Sequence, residues 1–383
     1  MSYKIAIGVP SYNEAKYVRF VLRQVDAGIK KYFDPKECLI LNLDSYSTDG
    51  TKEIFLSTKT VTEKKSVTTP SGKGRAMLHF FKFCIKNNIP YCATVDADLK
   101  SIKPNWVYSL IHPLEVGFDY TIPVYTRNRF ESNITNHFAY PLLYSAYPIG
   151  LRQPLGGEFG YSKRFCQYLL QQPKQLKTFQ YGIDIFISCN AIAGGYNIKE
   201  VYLGKKIHKP SFYHMEPTFR QVFESGVFVS RLHRHKKISL GKISLSSKSS
   251  GIDKYKCFPH KGVIEKLLKQ LKVRFLRYKK LGCYNFYLGN DLLKKVEKIV
   301  QKGKPNLSGD LWTDILAKVL KKCYENNFKV NKLSTVSRML IPIYRWRAAS
   351  CWLEIENMDT NQAEKVIRRE AARLRNNLKK YSK

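Results

Sequence analysis

The chain has 383 residues, with 66 Lys and Arg against 30 Asp and Glu, a formal charge of +36. A hydrophobic fraction of 44% with 13% aromatics excludes a disordered chain, and no apolar run approaches the ~20 residues of a membrane span. The nine cysteines contain no C-x-x-C pair, which argues against a zinc ribbon or a disulfide framework and fits a reducing cytosol.

The charge is uneven. Residues 1–210 hold 28 Lys and Arg and 16 Asp and Glu, giving +12, and residues 211–383 hold 38 and 14, giving +24. Such a field attracts nucleic acid, anionic lipid headgroups or phosphorylated small molecules. A Lys-rich, solvated surface is the plainer reading.

The N-terminal "MSYKIAIGVPSYNEA" runs straight into a strand pattern. No signal peptide is expected, and the expected location is cytoplasmic. "YKIAIGVPSY" reads as a strand, and "NEAKYVRFVLRQVDAGIKKYF" carries apolar residues at helical spacing. "CLILNLDS" is a continuous apolar strand ending at Asp44, and "STDGTKEIFLST" opens with N-cap chemistry. "SGKGRAMLHFFKFCIKNN" is a glycine–lysine loop leading into an amphipathic helix, and "YCATVDAD" is the next strand. This alternation predicts a mostly parallel sheet covered by helices on both faces. Ligands then sit beyond the carboxyl ends of the strands. Ser11–Glu14, Asp44–Asp49, and Asp96 with Asp98 all fall at such ends.

"GFDYTIPVYTR" reads as a further strand and "RQPLGGEFGYS" as loop and turn. "ISLGKISLSSKSSGID", after about residue 237, reads as an exposed connection. From "KGVIEKLLKQLKVRFLRYKKLG" onward the pattern is basic and helical.

Several constellations can carry chemistry. Two aspartates one residue apart on an extended chain point to the same side. They can grip one hard cation, or divide between a metal and a ribose, while a lone D-x-D more often caps a helix. Mg²⁺ and Mn²⁺ favour such oxygen ligands together with substrate phosphates. "SGKGRAM" offers backbone N–H groups and Lys73 to an anion, without the Walker A spacing. "QPLGGE" (Gln153–Glu158) lets backbone approach a ligand closely. "YGIDIF" sets Asp184 in an apolar segment, where a carboxylate needs a partner. A lone His, such as His208, is usually structural.

Taken in order, "PSYNEA", "DSYSTDGT", "GKGRAM", "VDADL", "QPLGGE", "YGIDI" and "LGKKIH" resemble the GT-A glycosyltransferases that make glucosyl-3-phosphoglycerate and mannosylglycerate. The resemblance covers roughly residues 3–215. It implies a Rossmann-like GT-A domain and retaining, Mg²⁺- or Mn²⁺-dependent transfer of a sugar from a nucleotide sugar; with the change of pattern after about residue 237, the expected division is a GT-A domain over 1–237 and a basic helical region over 238–383. Pro10, Tyr12 and Glu14 would line the base pocket with Asp44 nearby, and Lys73 would sit near the diphosphate or base. Asp96 would contact the ribose, and Asp98 and His208 would hold the metal, with His214 a competitor for the last role. The backbone of Leu155, Gly156 and Gly157 and the side chain of Asp184 would hold the donor sugar. Arg127 and Thr135 would hold a small acidic acceptor such as glycerate or 3-phosphoglycerate. Position 184 is Asp, as in the mannosylglycerate type. Glu158 and Asp184 are candidate catalytic carboxylates with Lys73, although this group lacks an obvious nucleophile.

Two other readings follow from the tail. One is a lipid or macromolecular acceptor at an anionic membrane surface, motivated by the basic helices with Trp346 and Trp352. The other is a nucleic-acid binder, although no reader motif is present. Amphipathic tail helices also allow a homo-oligomer.

Overall fold

The computed structural model describes residues 3–128, 130–207, 215–246, 252–253 and 261–380. Two compact units emerge. One joins Met1–Thr126, Leu151–Tyr213 and Lys236–Ser250; the other joins Arg127–Gly150, His214–His235 and Gly251–Lys383. They interleave along the chain, whereas the expected division was a single cut after residue 237.

The first unit is α/β. Its strands are β1 (Ile5–Ser11), β2 (Cys38–Asp44), β3 (Glu63–Thr68), β4 (Tyr91–Thr94), β5 (Tyr120–Asn128, of which Tyr120–Thr126 belong here), β6 (Phe159–Ser162), β7 (Ile198–Lys205) and β8 (Ile243–Ser244). Its helices are α1 (Val18–Tyr32), α2 (Thr51–Ser57), α3 (Lys73–Lys86) and α4 (Asn105–Glu115), then, beyond α5 of the other unit, α6 (Lys163–Gln171) and α7 (Ile183–Ala193). The sheet order is β3-β2-β1-β4-β6-β5-β7-β8. β2 is buried along its whole length, as its unbroken apolar run requires of a strand covered on both faces. β3 has no fully buried residue, its exposed and half-buried positions largely alternating at the sheet edge, and its "EKKSVT" lacks the apolar run that made the other strands legible. α1 buries Val18, Val21, Leu22, Val25 and Ile29, a single stripe at helical spacing.

All pairings are parallel except those of β6, which runs antiparallel to both β4 and β5. The expected loop "RQPLGGEFGYS" therefore contains a strand. Strand order reverses between β1 and β4, the switch point where open α/β sheets bind ligands. The carboxyl ends of β1, β2, β4, β5 and β7 share one edge with the amino end of the reversed strand β6.

The second unit is helical. A π-turn (Thr135–Ala139) leads into α5 (Tyr140–Ala146), followed by α8 (Met215–His233). The short β9 (Ile252–Asp253) pairs with Arg127–Asn128 of β5. Then come α9 (Lys261–Lys280), α10 (Cys283–Lys302), α11 (Gly309–Tyr324), α12 (Leu333–Glu354) and α13 (Thr360–Lys380). α12 is buried on most sides, and Tyr344 stacks on Phe219 at 4.1 Å between ring centres. Trp346 and Trp352 are core residues, donating to the Lys304 carbonyl and the Asn133 side chain. Neither is available to a membrane surface, so that part of the lipid reading is corrected.

A buried charge network ties this unit together. Arg347, fully buried, donates to Glu370, to Glu354 (2.8 Å) and to the Leu307 carbonyl (3.1 Å). Glu370 also meets His137 Nδ1 at 3.2 Å. No helix among the described residues is long and apolar enough to cross a membrane.

Candidate active site

The site is built on the shared edge of the first unit's sheet. β4 ends at Thr94, and Ala97 and Asp98 lie in a turn beyond it. Asp98 is therefore presented by the turn and Asp96 by the segment just before it, so the same-side argument from strand alternation does not apply. Both are half-buried.

Lys73 is the first residue of α3. Its Nζ lies 2.9 Å from Asp96 Oδ1 and 3.5 Å from Asp184 Oδ2. Burial works against its charge, but the carboxylates of Asp184 and Asp96 outweigh that, and its pKa is raised. The glycines around it serve packing. A Cβ on Gly74 would collide with the Thr178 carbonyl and the Phe179 backbone. This close approach sets α3 against the Leu176–Phe179 turn that precedes α7.

Asp184 lies in the first turn of α7, where a carboxylate is favoured by the exposed N–H groups. Its Oδ1 is buried and has no hydrogen-bond partner among the described residues. Burial raises its pKa, Lys73 opposes the rise, and Asp96 adds to it.

The residue that sequence reasoning missed is Lys206. It follows directly on β7 and is buried. Its Nζ contacts Glu158 Oε1 (2.8 Å) and Oε2 (2.7 Å), the Gly156 carbonyl (2.7 Å) and Asp96 Oδ2 (3.4 Å). The only signal was the second lysine of "GKKIH", which lay two residues before the histidine that drew attention. A register shift after Val124 in the β5–β7 pair redirects the strand end that leads into Lys206.

Glu158 is fully buried at the amino end of β6 and also accepts from the Tyr125 hydroxyl. Both its oxygens are committed, so it positions Lys206 and is not a nucleophile exposed to substrate. Gly157 stands at φ 94°, and a Cβ there would strike Asp96 and Lys206. Only glycine combines that conformation with that approach. Gly156 and Gly157 are buried, while Leu155 is half-buried.

Burial pushes Glu158 up, Lys206 opposes it, Asp96 adds to the rise, and the group titrates at about 7. Asp96 moves the other way: burial would raise it, but Lys73 and Lys206 hold it well below the usual carboxylate range. A proton on Glu158 is thus retained by the folded state up to about pH 7 and by the unfolded chain only to its ordinary 4.5. Stability from this group is full below 4.5 and is lost as pH rises through 7, by about 3 kcal/mol in all. Urea unfolding across that window should show stability falling with pH in the wild type and a flatter profile in Glu158→Gln. An unchanged slope in the variant would disprove this titration.

At the other end of the edge, Asp44 is buried, accepting from Ser11 Oγ (3.4 Å) and from the Ser47 N–H (3.0 Å). It shapes the loop after β2. The backbone N–H of Glu14 donates to Thr51 Oγ1 at 2.8 Å, joining the β1 and β2 loops. Tyr12 is exposed and Pro10 half-buried. Arg127 and Thr135 belong to the second unit, where Arg127 is half-buried and Thr135 is buried in the π-turn. His208 and His214 lie outside the described residues. Among the described residues no group of three or more His, Cys, Asp or Glu is placed to hold a metal.

Residues 6–191 match the model of the family described as glycosyl transferase family 2. Among solved structures, two of glucosyl-3-phosphoglycerate synthase from Mycobacterium tuberculosis are similar. One is in complex with Mn²⁺, UDP and phosphoglyceric acid, and the other with Mn²⁺, UDP-glucose and phosphoglyceric acid. Each is 22% identical with a TM-score of 0.50, and the match covers 60% of this chain and 78% or 80% of the other. No curated protein matches the chain in sequence. The family match, the sheet with its switch point and the similar solved folds agree with the resemblance read from the motifs. Residues 6–191 thus match glycosyl transferase family 2 on a sheet of GT-A type, and the chain is a glycosyltransferase.

Proposed function

We propose that the chain moves a hexose from a nucleotide sugar to a small acidic acceptor such as glycerate or 3-phosphoglycerate, with retention, and with Mn²⁺ or Mg²⁺. The observation that carries this reading is the Lys73–Asp96–Asp184 cluster at the switch-point edge, with the buried Asp184 Oδ1 lacking a partner among the described residues. A buried, unpartnered carboxylate oxygen is costly unless a ligand satisfies it. A sugar hydroxyl is a donor of the right kind. The similar synthases were solved with Mn²⁺, UDP-glucose and phosphoglyceric acid, which supports the same ligand classes here.

In this reading Pro10, Tyr12, Glu14 and Asp44 frame the base, and Asp96, held ionised by two lysines, accepts from the ribose. Lys73 balances Asp96 and Asp184 and faces the diphosphate. The backbone of Leu155–Gly157 and the Asp184 carboxylate orient the sugar, which lowers the entropy cost of transfer. Arg127 and Thr135 are proposed for the acceptor carboxylate. The oxygen donors of the Asp96–Asp98 turn fit a hard cation, with Asp98 as the ligand and His208 as its proposed partner. Such a cation, when bound, supplies charge neutralisation for the departing diphosphate.

The test is nucleotide diphosphate release by the purified chain with Mn²⁺. UDP-glucose, GDP-glucose and GDP-mannose are crossed with glycerate, 3-phosphoglycerate and no acceptor. Release should depend on one acceptor and vanish on chelation. No release from any pair would reject the small-acceptor reading, and release insensitive to chelation would reject the metal.

A further inference from the structure

We infer that the helical unit carries a docking surface for an anionic membrane, centred on the corner between α9 and α10. In α9, Ile264, Leu267, Leu268, Leu271 and Phe275 recur at helical spacing and are all buried, so one face of the helix is spent on the core. The opposite face places Lys266, Lys269, Val273, Arg277 and Lys280 at successive turns, all exposed. Val273 is 69% exposed and Leu276 45%; Leu281, just past the helix, is 65% exposed, and Phe286, in the first turn of α10, is 58% exposed. A single exposed aliphatic residue is ordinary. Two large apolar residues on α9, one in the turn after it and one at the start of α10, set among lysines, have the composition of an interfacial surface.

Charge complementarity names the occupant. The exposed acid on this face is Glu265, and Lys279 is balanced by Glu297 at 3.0 Å, but Lys266, Lys269, Arg277 and Lys280 enter no ion pair with a described residue. A cavity of about 290 Å³ beside the corner is lined by Cys283, Phe286, Tyr287, Thr335 and Lys332. It offers an apolar recess with a cationic rim, which suits a lipid better than a phosphodiester backbone. A nucleic acid would be held by the lysines alone and would leave the apolar side chains without purpose. Each basic side chain near an anionic bilayer strengthens partition about fivefold. The inference concerns this surface only and stands whether or not the acceptor proposed above is correct.

Flotation of the full chain with vesicles tests it, using phosphatidylcholine alone and phosphatidylcholine with roughly one-third phosphatidylglycerol. The wild type should float with the anionic vesicles, less so as salt rises, and should stay at the bottom with the neutral ones. Val273→Ser with Leu281→Ser, both at exposed positions, should weaken partition about tenfold with the charge unchanged. Lys269→Glu with Lys280→Glu should weaken it at least as much. Absence of flotation at low salt would overturn the inference, as would equal flotation of either double variant. A duplex oligonucleotide that displaces the vesicles and still binds the Val273→Ser/Leu281→Ser chain would assign the face to nucleic acid instead. The thermal melting of each variant, followed by circular dichroism, should match the wild type.

Discussion

Lys206→Met is expected to lower transferase turnover by about a hundredfold or more while leaving the chain folded. The ammonium of Lys206 is the shared partner of Glu158, Asp96 and the Gly156 carbonyl. It therefore fixes three parts of the site relative to one another: the amino end of β6, the turn after β4 and the glycine loop. Removing it frees the glycine loop and leaves Asp96 with Lys73 alone. A displacement of about 1 Å in a positioning element costs roughly a hundredfold in rate. Stability should suffer less than the usual loss of a buried ion-pair partner, because Glu158 already titrates at about 7 and can take up a proton. The sign follows from linkage. Lys206 lowers the Glu158 pKa, so its removal raises that pKa further, and the variant's stability should keep falling with pH above 7. Kinetics should show the loss mainly in kcat, and urea unfolding at several pH values should show the shifted profile. Near-normal turnover would remove Lys206 from the site, and a loss matched by unfolding would reduce it to a structural residue.

Arg347→Ala is expected to destabilise the helical unit by about 3–5 kcal/mol. The guanidinium is buried between Glu370, Glu354 and the Leu307 carbonyl. Its loss leaves the Glu370 carboxylate buried against His137 Nδ1, 3.2 Å away. Burial would raise the Glu370 pKa, but Arg347 and His137 hold it below the ordinary value. The stability it contributes is therefore present above the ordinary glutamate pKa and lost as pH falls through the depressed one. In Arg347→Ala that loss should begin at higher pH. A loss of this size is a large share of the roughly 5–15 kcal/mol that holds a typical domain. Denaturant unfolding followed by circular dichroism measures it, and Arg347→Met with Glu370→Leu should recover most of the loss, since an apolar pair of similar volume avoids the buried charge. A single variant as stable as the wild type would show the network to be dispensable.

Much of the first unit was legible. β1, β2 and β4 are apolar runs with a charged or small residue at the carboxyl end, and a strand buried on both faces permits little else. α1 and α3 announce themselves by apolar spacing. Lys73, Asp96 and Asp184 were marked because a lysine between glycines and a carboxylate in an apolar segment each need a partner, and they proved to be one another's. β3 escaped because an edge strand needs no apolar face, and β6 because four residues beside a glycine pair look like a turn.

By itself the sequence determined the kind of sheet, the edge that carries the polar residues and the identity of its charged groups, because burial and helical spacing are local constraints written residue by residue. Tertiary structure alone decided the partners. Glu158 and Lys206 are 48 residues apart and meet because one strand runs against the others. Trp346 and Trp352 left the surface because the helical unit packs around α12. Whether a charge is paired, and whether an aromatic ring is wet, depends on what the rest of the chain brings beside it.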